Sequence, residues 1–272
     1  MIQRIIPSSG EKIPIIGLGT WQTFDSDKNE YPILENVLNT IHHLGGKLID
    51  SSPMYGKSEA VIGDLTSNMN IGNEFFYATK VWTTGKQAGI DQMNTSFKKM
   101  HRESIDLMQI HNLVDWKTHL PVLREWKANG KIKYIGITHY TDSMHSELEK
   151  IICCEDIDFI QFNYSVDDRN ADKRLFAAAA HHGIATIINR PFGEGFLFQK
   201  TLGKPIPEWA IEYGINNWSD YFLKFIISHP AVTAIIPATA NPIHAAKNCE
   251  SATGILLDSS IRNKMSAYLH KI

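Results

Sequence analysis

The chain has 272 residues, of which 43% are hydrophobic and 21% charged, enough apolar material for one sizeable core in a single domain over residues 1–272. Its formal net charge of -2 sets up no long-range field for collecting nucleic acid or an anionic membrane surface, so neither is expected as a partner. Three cysteines, two of them adjacent at 153 and 154, make no disulfide framework or paired metal-ligand spacing. With no apolar run of 18 residues and no signal-like start, the expected location is the cytoplasm.

The first residues read as a hairpin: 3–7, a Ser8-Ser9-Gly10-Glu11 turn, then a strand over 12–20 carrying Gly17 and Gly19. Gly17-Leu18-Gly19-Thr20-Trp21-Gln22 lacks the third glycine of a dinucleotide fingerprint, which argues against a Rossmann unit. From residue 31 the pattern alternates. Helical stretches fall at 31–44, 57–67, 86–101, 117–129, 142–153, 170–182, 219–229 and 241–252.

Between them lie apolar, strand-like runs at 47–51, 75–81, 105–111, 132–138, 159–165, 184–190 and 232–237. With 13–20 as the first barrel strand the count reaches eight. The expected fold is a (β/α)8 TIM barrel with an N-terminal β-hairpin and an extra C-terminal helix over 259–271 that packs across the barrel's outside or base. The connection 192–218 is longer than the others and reads as an insertion on the active rim.

Three of the strand-like runs end in a reactive polar residue: Asp50, Lys80 and His111, at intervals of 30 and 31 residues. That spacing fits one strand, one helix and two loops, so all three share the C-terminal rim where barrel sites lie. Lys80 needs a counter-charge, and Asp50 one strand away is the natural one. Tyr55, five residues after Asp50, is then a phenol beside a cation that lowers its pKa and makes it a proton donor, while His111 orients a carbonyl oxygen. No activated serine or cysteine accompanies the set, and no clustered His and Asp ligands suggest a metal hydrolase. The missing reactant is a hydride from a bound cofactor. Trp21, Met54 and Trp82 sit on rim loops as candidate apolar walls for a substrate.

The same residues resemble a known family. Ile49-Asp50-Ser51-Ser52-x-x-Tyr55-Gly56, Ala78-Thr79-Lys80-Val81-Trp82 and Asp106-Leu107-x-x-Ile110-His111 are similar to the catalytic motifs of the aldo-keto reductases. Gly17-Leu18-Gly19-Thr20-Trp21, Ile135-Gly136-Ile137-Thr138, Gln161-Phe162-Asn163-Tyr164, Arg190-Pro191-Phe192-Gly193 and Ile236-Pro237-Ala238-Thr239 follow in that family's order along nearly the whole chain.

The resemblance implies reduction of a small aldehyde or ketone by NADPH, with NADH possible, by a monomer whose tetrad is Asp50, Tyr55, Lys80 and His111. A catalytically weak cofactor sensor of the same fold is the rival reading. It assigns to the cofactor Gly19, Thr20, Thr138, His139, Gln161, Arg190, Pro191, Phe192, Gly193, Ala238, Thr239, His244 and Asn248. Three departures stand out. His139 replaces an asparagine that holds the carboxamide, Asn189-Arg190-Pro191-Phe192 lacks the tyrosine that stacks on nicotinamide, and Ala238 and His244 replace the lysine and arginine that clasp the 2′-phosphate of NADPH.

Overall fold

A computed structural model describes residues 1–272. In chain order its elements are β1 (Gln3–Ile5), β2 (Lys12–Pro14), β3 (Leu18–Gly19), α1 (Tyr31–His43), β4 (Leu48–Asp50), α2 (Ser58–Asn68), β5 (Phe76–Val81), α3 (Lys86–Lys99), β6 (Ile105–Ile110) and α4 (Trp116–Ala128). There follow β7 (Ile132–Thr138), α5 (His145–Cys154), β8 (Phe159–Asn163), α6 (Leu175–His181), β9 (Ala185–Asn189), α7 (Phe196–Lys200), α8 (Glu208–Ile211), α9 (Trp218–Ile227), β10 (Ala234–Ile235), α10 (Pro242–Glu250) and α11 (Ser259–Lys271).

Strands β3 to β10 form one sheet of eight parallel strands in sequential order. Parallel bridges Ile16↔Ile235 and Gly19↔Ala238 close it between its first and last strands, giving the (β/α)8 barrel. Gly19 is required at that seam, because a Cβ there would lie 2.6 Å from the Ile236 carbonyl oxygen.

The expected strand 13–20 is not continuous. Its first part, β2, pairs antiparallel with β1, and the chain then changes partner, Ile235 N–H donating to Ile15 O and Gly17 N–H to Ile235 O at 2.8 Å each. One apolar run therefore serves two sheets, and the barrel strand proper shrinks to β3. The hairpin closes the barrel's N-terminal end: Ile6 and Ile13 join Leu48, Phe76, Leu107, Tyr134, Phe159 and Ile187 in a buried cluster inside it. A fully buried isoleucine of this kind contributes roughly 1.5–3 kcal/mol relative to exposure.

Side chains that point inward recur every second residue, so each apolar floor residue predicts what stands above it. Leu48 is followed by Asp50, Ala78 by Lys80, Leu107 by Gln109 and Phe159 by Gln161. The interior is thus apolar below and polar at the C-terminal rim.

The helices cover the outside. In α1 the buried Leu34, Val37, Leu38 and Ile41 fall on one face at helical spacing. Helix α9 is buried nearly throughout because α11 packs over it, with Tyr221 Oη donating to Met265 O at 2.8 Å and Arg262 Nε to Phe225 O at 2.9 Å. The terminal helix therefore lies outside the barrel wall. The long connection carries α7, whose Phe198 faces the C-terminal rim, and α8, whose Trp209 packs against Tyr221 of α9 and Tyr268 of α11. No helix is long and apolar enough to cross a membrane.

Candidate active site

Asp50 ends β4 and Lys80 lies one residue before the end of β5; parallel pairing sets Asp50 opposite Ala78, so Lys80, two residues further along β5, projects inward from the same face just beyond it. Lys80 Nζ donates to Asp50 Oδ2 at 2.6 Å and to Ser51 O at 2.7 Å, with Lys80 0% and Asp50 1% exposed. Removing one partner of such a pair leaves an uncompensated buried charge, a cost of about 3–5 kcal/mol. Burial alone would neutralise Lys80, but the Asp50 carboxylate and the Tyr55 oxygen more than offset it and its pKa stands above the ordinary lysine value.

Tyr55 comes from the loop after β4, where its backbone N–H donates to Ser52 O at 3.0 Å. Lys80 Nζ stands 5.0 Å from the centroid of its ring. Burial pushes the phenol pKa up and outweighs the opposing pull of Lys80, so the expected lowering is corrected: the phenol is held protonated rather than partly ionised.

His111 follows β6 directly, and the chain after it turns through left-handed Asn112 (φ 52) and Leu113 (φ 57). Its ring lies 5.8 Å from that of Tyr55 at 84°. Burial, then the positive charges of Lys80 and His139, hold its pKa down to about 2, so the imidazole is neutral. Ser52 Oγ stands 3.0 Å from its Nδ1.

These groups stand at the base of a cavity of about 620 Å³ on the barrel's C-terminal rim. Trp21, Met54 and Trp82 wall it, each 38–42% exposed and so free to be covered by a bound molecule. Gly19, Thr20, Thr138, Gln161, Pro191, Phe192 and Ala238 also line it. Arg190 reaches the same wall with φ 51, its guanidinium 4.3 Å from the Tyr140 ring centroid and its Nη2 2.8 Å from Glu194 Oε1. Phe192 packs against Phe198 with the rings tilted at 49° and their centroids 4.9 Å apart.

Other expected residues stand elsewhere. His139 is turned back onto its own loop, its Nδ1 accepting the Tyr140 N–H at 3.0 Å and the Thr141 N–H at 3.3 Å while its ring stacks on Tyr140. Gly193 adopts φ 55 beside the rim, outside the cavity wall. Thr239 Oγ1 accepts the Asn241 N–H at 3.0 Å, and Asn241 in turn caps α10. His244 is exposed on the first turn of that helix, and Asn248 is buried one turn on, its Oδ1 accepting from Ser219 at 3.3 Å.

Sequence reasoning passed over four residues. Gln109 donates to Asp50 Oδ1 at 2.9 Å, Ser52 meets His111, and Tyr140 and Phe198 complete the cavity wall. The alternation Leu107, Gln109, His111 along β6 and the residue that follows it carried the signal for the first.

The geometry agrees with comparison to known proteins. A profile described as the Aldo/keto reductase family matches residues 15–265. The methylglyoxal reductase YeaE of Escherichia coli (strain K12) is 24% identical over 256 residues, covering 91% of this chain and 89% of that protein. The NADH-specific methylglyoxal reductase of the same organism is 23% identical over 219 residues, 67% of this chain and 64% of its own. An aldo-keto reductase from Klebsiella pneumoniae, solved in complex with NADPH, superposes with a TM-score of 0.84 at 19% identity, covering 99% of this chain and 96% of that one. The profile match runs from the first barrel strand into the terminal helix, and with it the chain belongs to the aldo/keto reductase family of oxidoreductases.

Proposed function

We propose that this protein reduces aldehydes or ketones to alcohols with NADPH as the reductant and Tyr55 as the proton donor. The observation that carries the reading is the buried Lys80–Asp50 pair beside the Tyr55 ring, with neutral His111 against the same phenol. The reduced nicotinamide, when bound, supplies the hydride to the carbonyl carbon.

The chain's own residues deal with the oxygen. As negative charge develops there, the Tyr55 O–H transfers its proton to it, and the phenolate left behind is stabilised by the Lys80 ammonium. Asp50 keeps Lys80 charged and in place. A neutral His111 donates an N–H toward the same oxygen. With the hydride that a bound reduced nicotinamide would supply, the proton from Tyr55 completes the conversion of C=O to CH–OH.

The cavity fits that cofactor in one respect independent of family likeness. Asn112 Oδ1 and Asn189 Oδ1 are buried on its wall without a hydrogen-bond partner, and a carboxamide NH2 is the kind of donor they lack. Thr138, Gln161, Arg190, Pro191 and Phe192 would hold the nicotinamide end. Thr239, His244, Asn248 and the N-terminal N–H groups of α10 would hold the adenosine end.

The NADPH carried by the Klebsiella structure and the relatives named methylglyoxal reductases support this reading and add 2-oxoaldehydes to the carbonyl compounds worth testing. We place the protein in the cytoplasm as a monomer, the exposed free thiols of Cys153 and Cys154 suiting a reducing compartment. A screen of NADPH oxidation against aldehydes, ketones, 2-oxoaldehydes and sugars is the test. Turnover with at least one class is expected, and tight NADPH binding with no turnover on any would identify a sensor instead.

A further inference from the structure

Resting on the donor role just given to His111, we infer that Ser52 is a positioning residue that holds the His111 proton on Nε2. A neutral imidazole carries one proton, and only the tautomer with Nε2–H presents a donor when Nδ1 is the nitrogen engaged elsewhere. Nδ1 is so engaged: Ser52 Oγ stands 3.0 Å from it, on a side chain with 0% exposure.

Accounting for the protons at Ser52 selects the tautomer. Its oxygen already accepts the Met54 backbone N–H at 3.3 Å, and Nδ1 is the acceptor left for its own O–H. With the proton on Nδ1 instead, two donors would converge on one hydroxyl oxygen and the hydroxyl hydrogen would be buried without an acceptor. That tautomer would also turn the Nε2 lone pair toward an incoming carbonyl oxygen, acceptor against acceptor.

The turn that places Ser52 is the one that places the acid, since Tyr55 N–H donates to Ser52 O at 3.0 Å. One short segment, from the last residue of β4 to Tyr55, thus carries the Lys80 counter-ion, the group that sets the His111 tautomer and the proton donor.

The test is nitrogen-15 NMR of the His111 ring in the whole protein, assigned by difference with His111→Gln, together with kinetics of Ser52→Ala. The parent is expected to carry the proton on Nε2. In Ser52→Ala the Nδ1 signal moves, a fraction of Nδ1–H appears, and kcat falls about threefold to tenfold with KM for the carbonyl compound within about twofold, the effect of one lost hydrogen bond. A parent with its proton on Nδ1 overturns the proposal whether or not Ser52→Ala folds. So does a Ser52→Ala protein whose ring-nitrogen signals are unchanged, even if kcat falls, because that fall would be a packing effect. A parent that reduces no carbonyl compound defeats the functional reading separately, and the spectrum still decides the tautomer.

Discussion

Gln109 and Gln161, from strands on either side of β7, donate to the same Asp50 oxygen, Oδ1, at 2.9 Å each, while Lys80 holds the other oxygen at 2.6 Å. The buried carboxylate is therefore satisfied by amides as well as by its counter-ion. Gly136 permits this, since a Cβ on it would lie 2.8 Å from Gln109 Cγ. Gln109→Met keeps the volume and removes one donor to a buried charge, so it should cost about 1.5–3 kcal/mol of stability and lower kcat. Urea unfolding checks it: a loss below about 0.5 kcal/mol would show that Asp50 does not depend on the second amide.

How the sequence and the structure relate is clearest at these residues. The repeat of apolar run and helix reveals the barrel, and Asp50, Lys80 and His111 are visible because each ends a run that is otherwise apolar. Gln109 lies inside such a run, and its value depends on register: Lys80 pairs with Gln109 and Thr138 with Gln161, which no single segment records. His139 turns onto its own loop for a local reason that no motif records, its Nδ1 finding two backbone N–H donors there. The run 13–20 split because two sheets share it.

The pKa shifts of Tyr55 and His111 run in opposite directions and set the pH behaviour. With the phenol of Tyr55 raised by burial, reduction should hold level through neutral pH and decline only above about pH 10, with no inflection from His111 between about pH 5 and 8. Stability responds to acid instead. The unfolded chain protonates this histidine near pH 6.5, the folded one only near 2, so within that window the unfolded state binds more protons. Stability is therefore full above about pH 6.5 and falls by up to about 1.4 kcal/mol per pH unit below it. His229, pushed down to about 4 chiefly by burial, adds to the slope between 6.5 and 4. Unfolding midpoints across that range should fall more shallowly for His111→Gln than for the parent, and equal slopes would show that His111 does not stay neutral.

Trp21, Met54 and Trp82 wall the open part of the cavity while each keeps more than a third of its surface exposed. A substrate ring that covers them gains about 25 cal/mol per Å² of apolar area buried. Benzaldehyde-like and medium-chain aldehydes should accordingly show higher kcat/KM than acetaldehyde-like or small charged ones, with Trp82→Ala narrowing the gap. Equal efficiencies across the series would remove these residues from the substrate wall.

Cofactor preference should be weak. Ala238 on the cavity wall and exposed His244 on α10 offer a 2′-phosphate none of the bidentate, charge-assisted contacts that an arginine makes, leaving the helix N-terminus and the exposed Lys247. NADH should bind within about tenfold of NADPH, roughly 1.4 kcal/mol. Ala238→Lys combined with His244→Arg should tighten NADPH selectively. Dissociation constants for the parent that already favour NADPH by about a hundredfold would point to Lys247 or Arg190 as the phosphate clamp.

The central claim is that Tyr55 gives the proton, and Tyr55→Phe tests it most directly because the ring stays and only the hydroxyl goes. Carbonyl reduction by the variant should fall by about 10² to 10⁴ while its NADPH dissociation constant stays within about twofold of the parent's. A Tyr55→Phe protein that still reduces the best substrate at more than about a tenth of the parent rate would contradict the assignment.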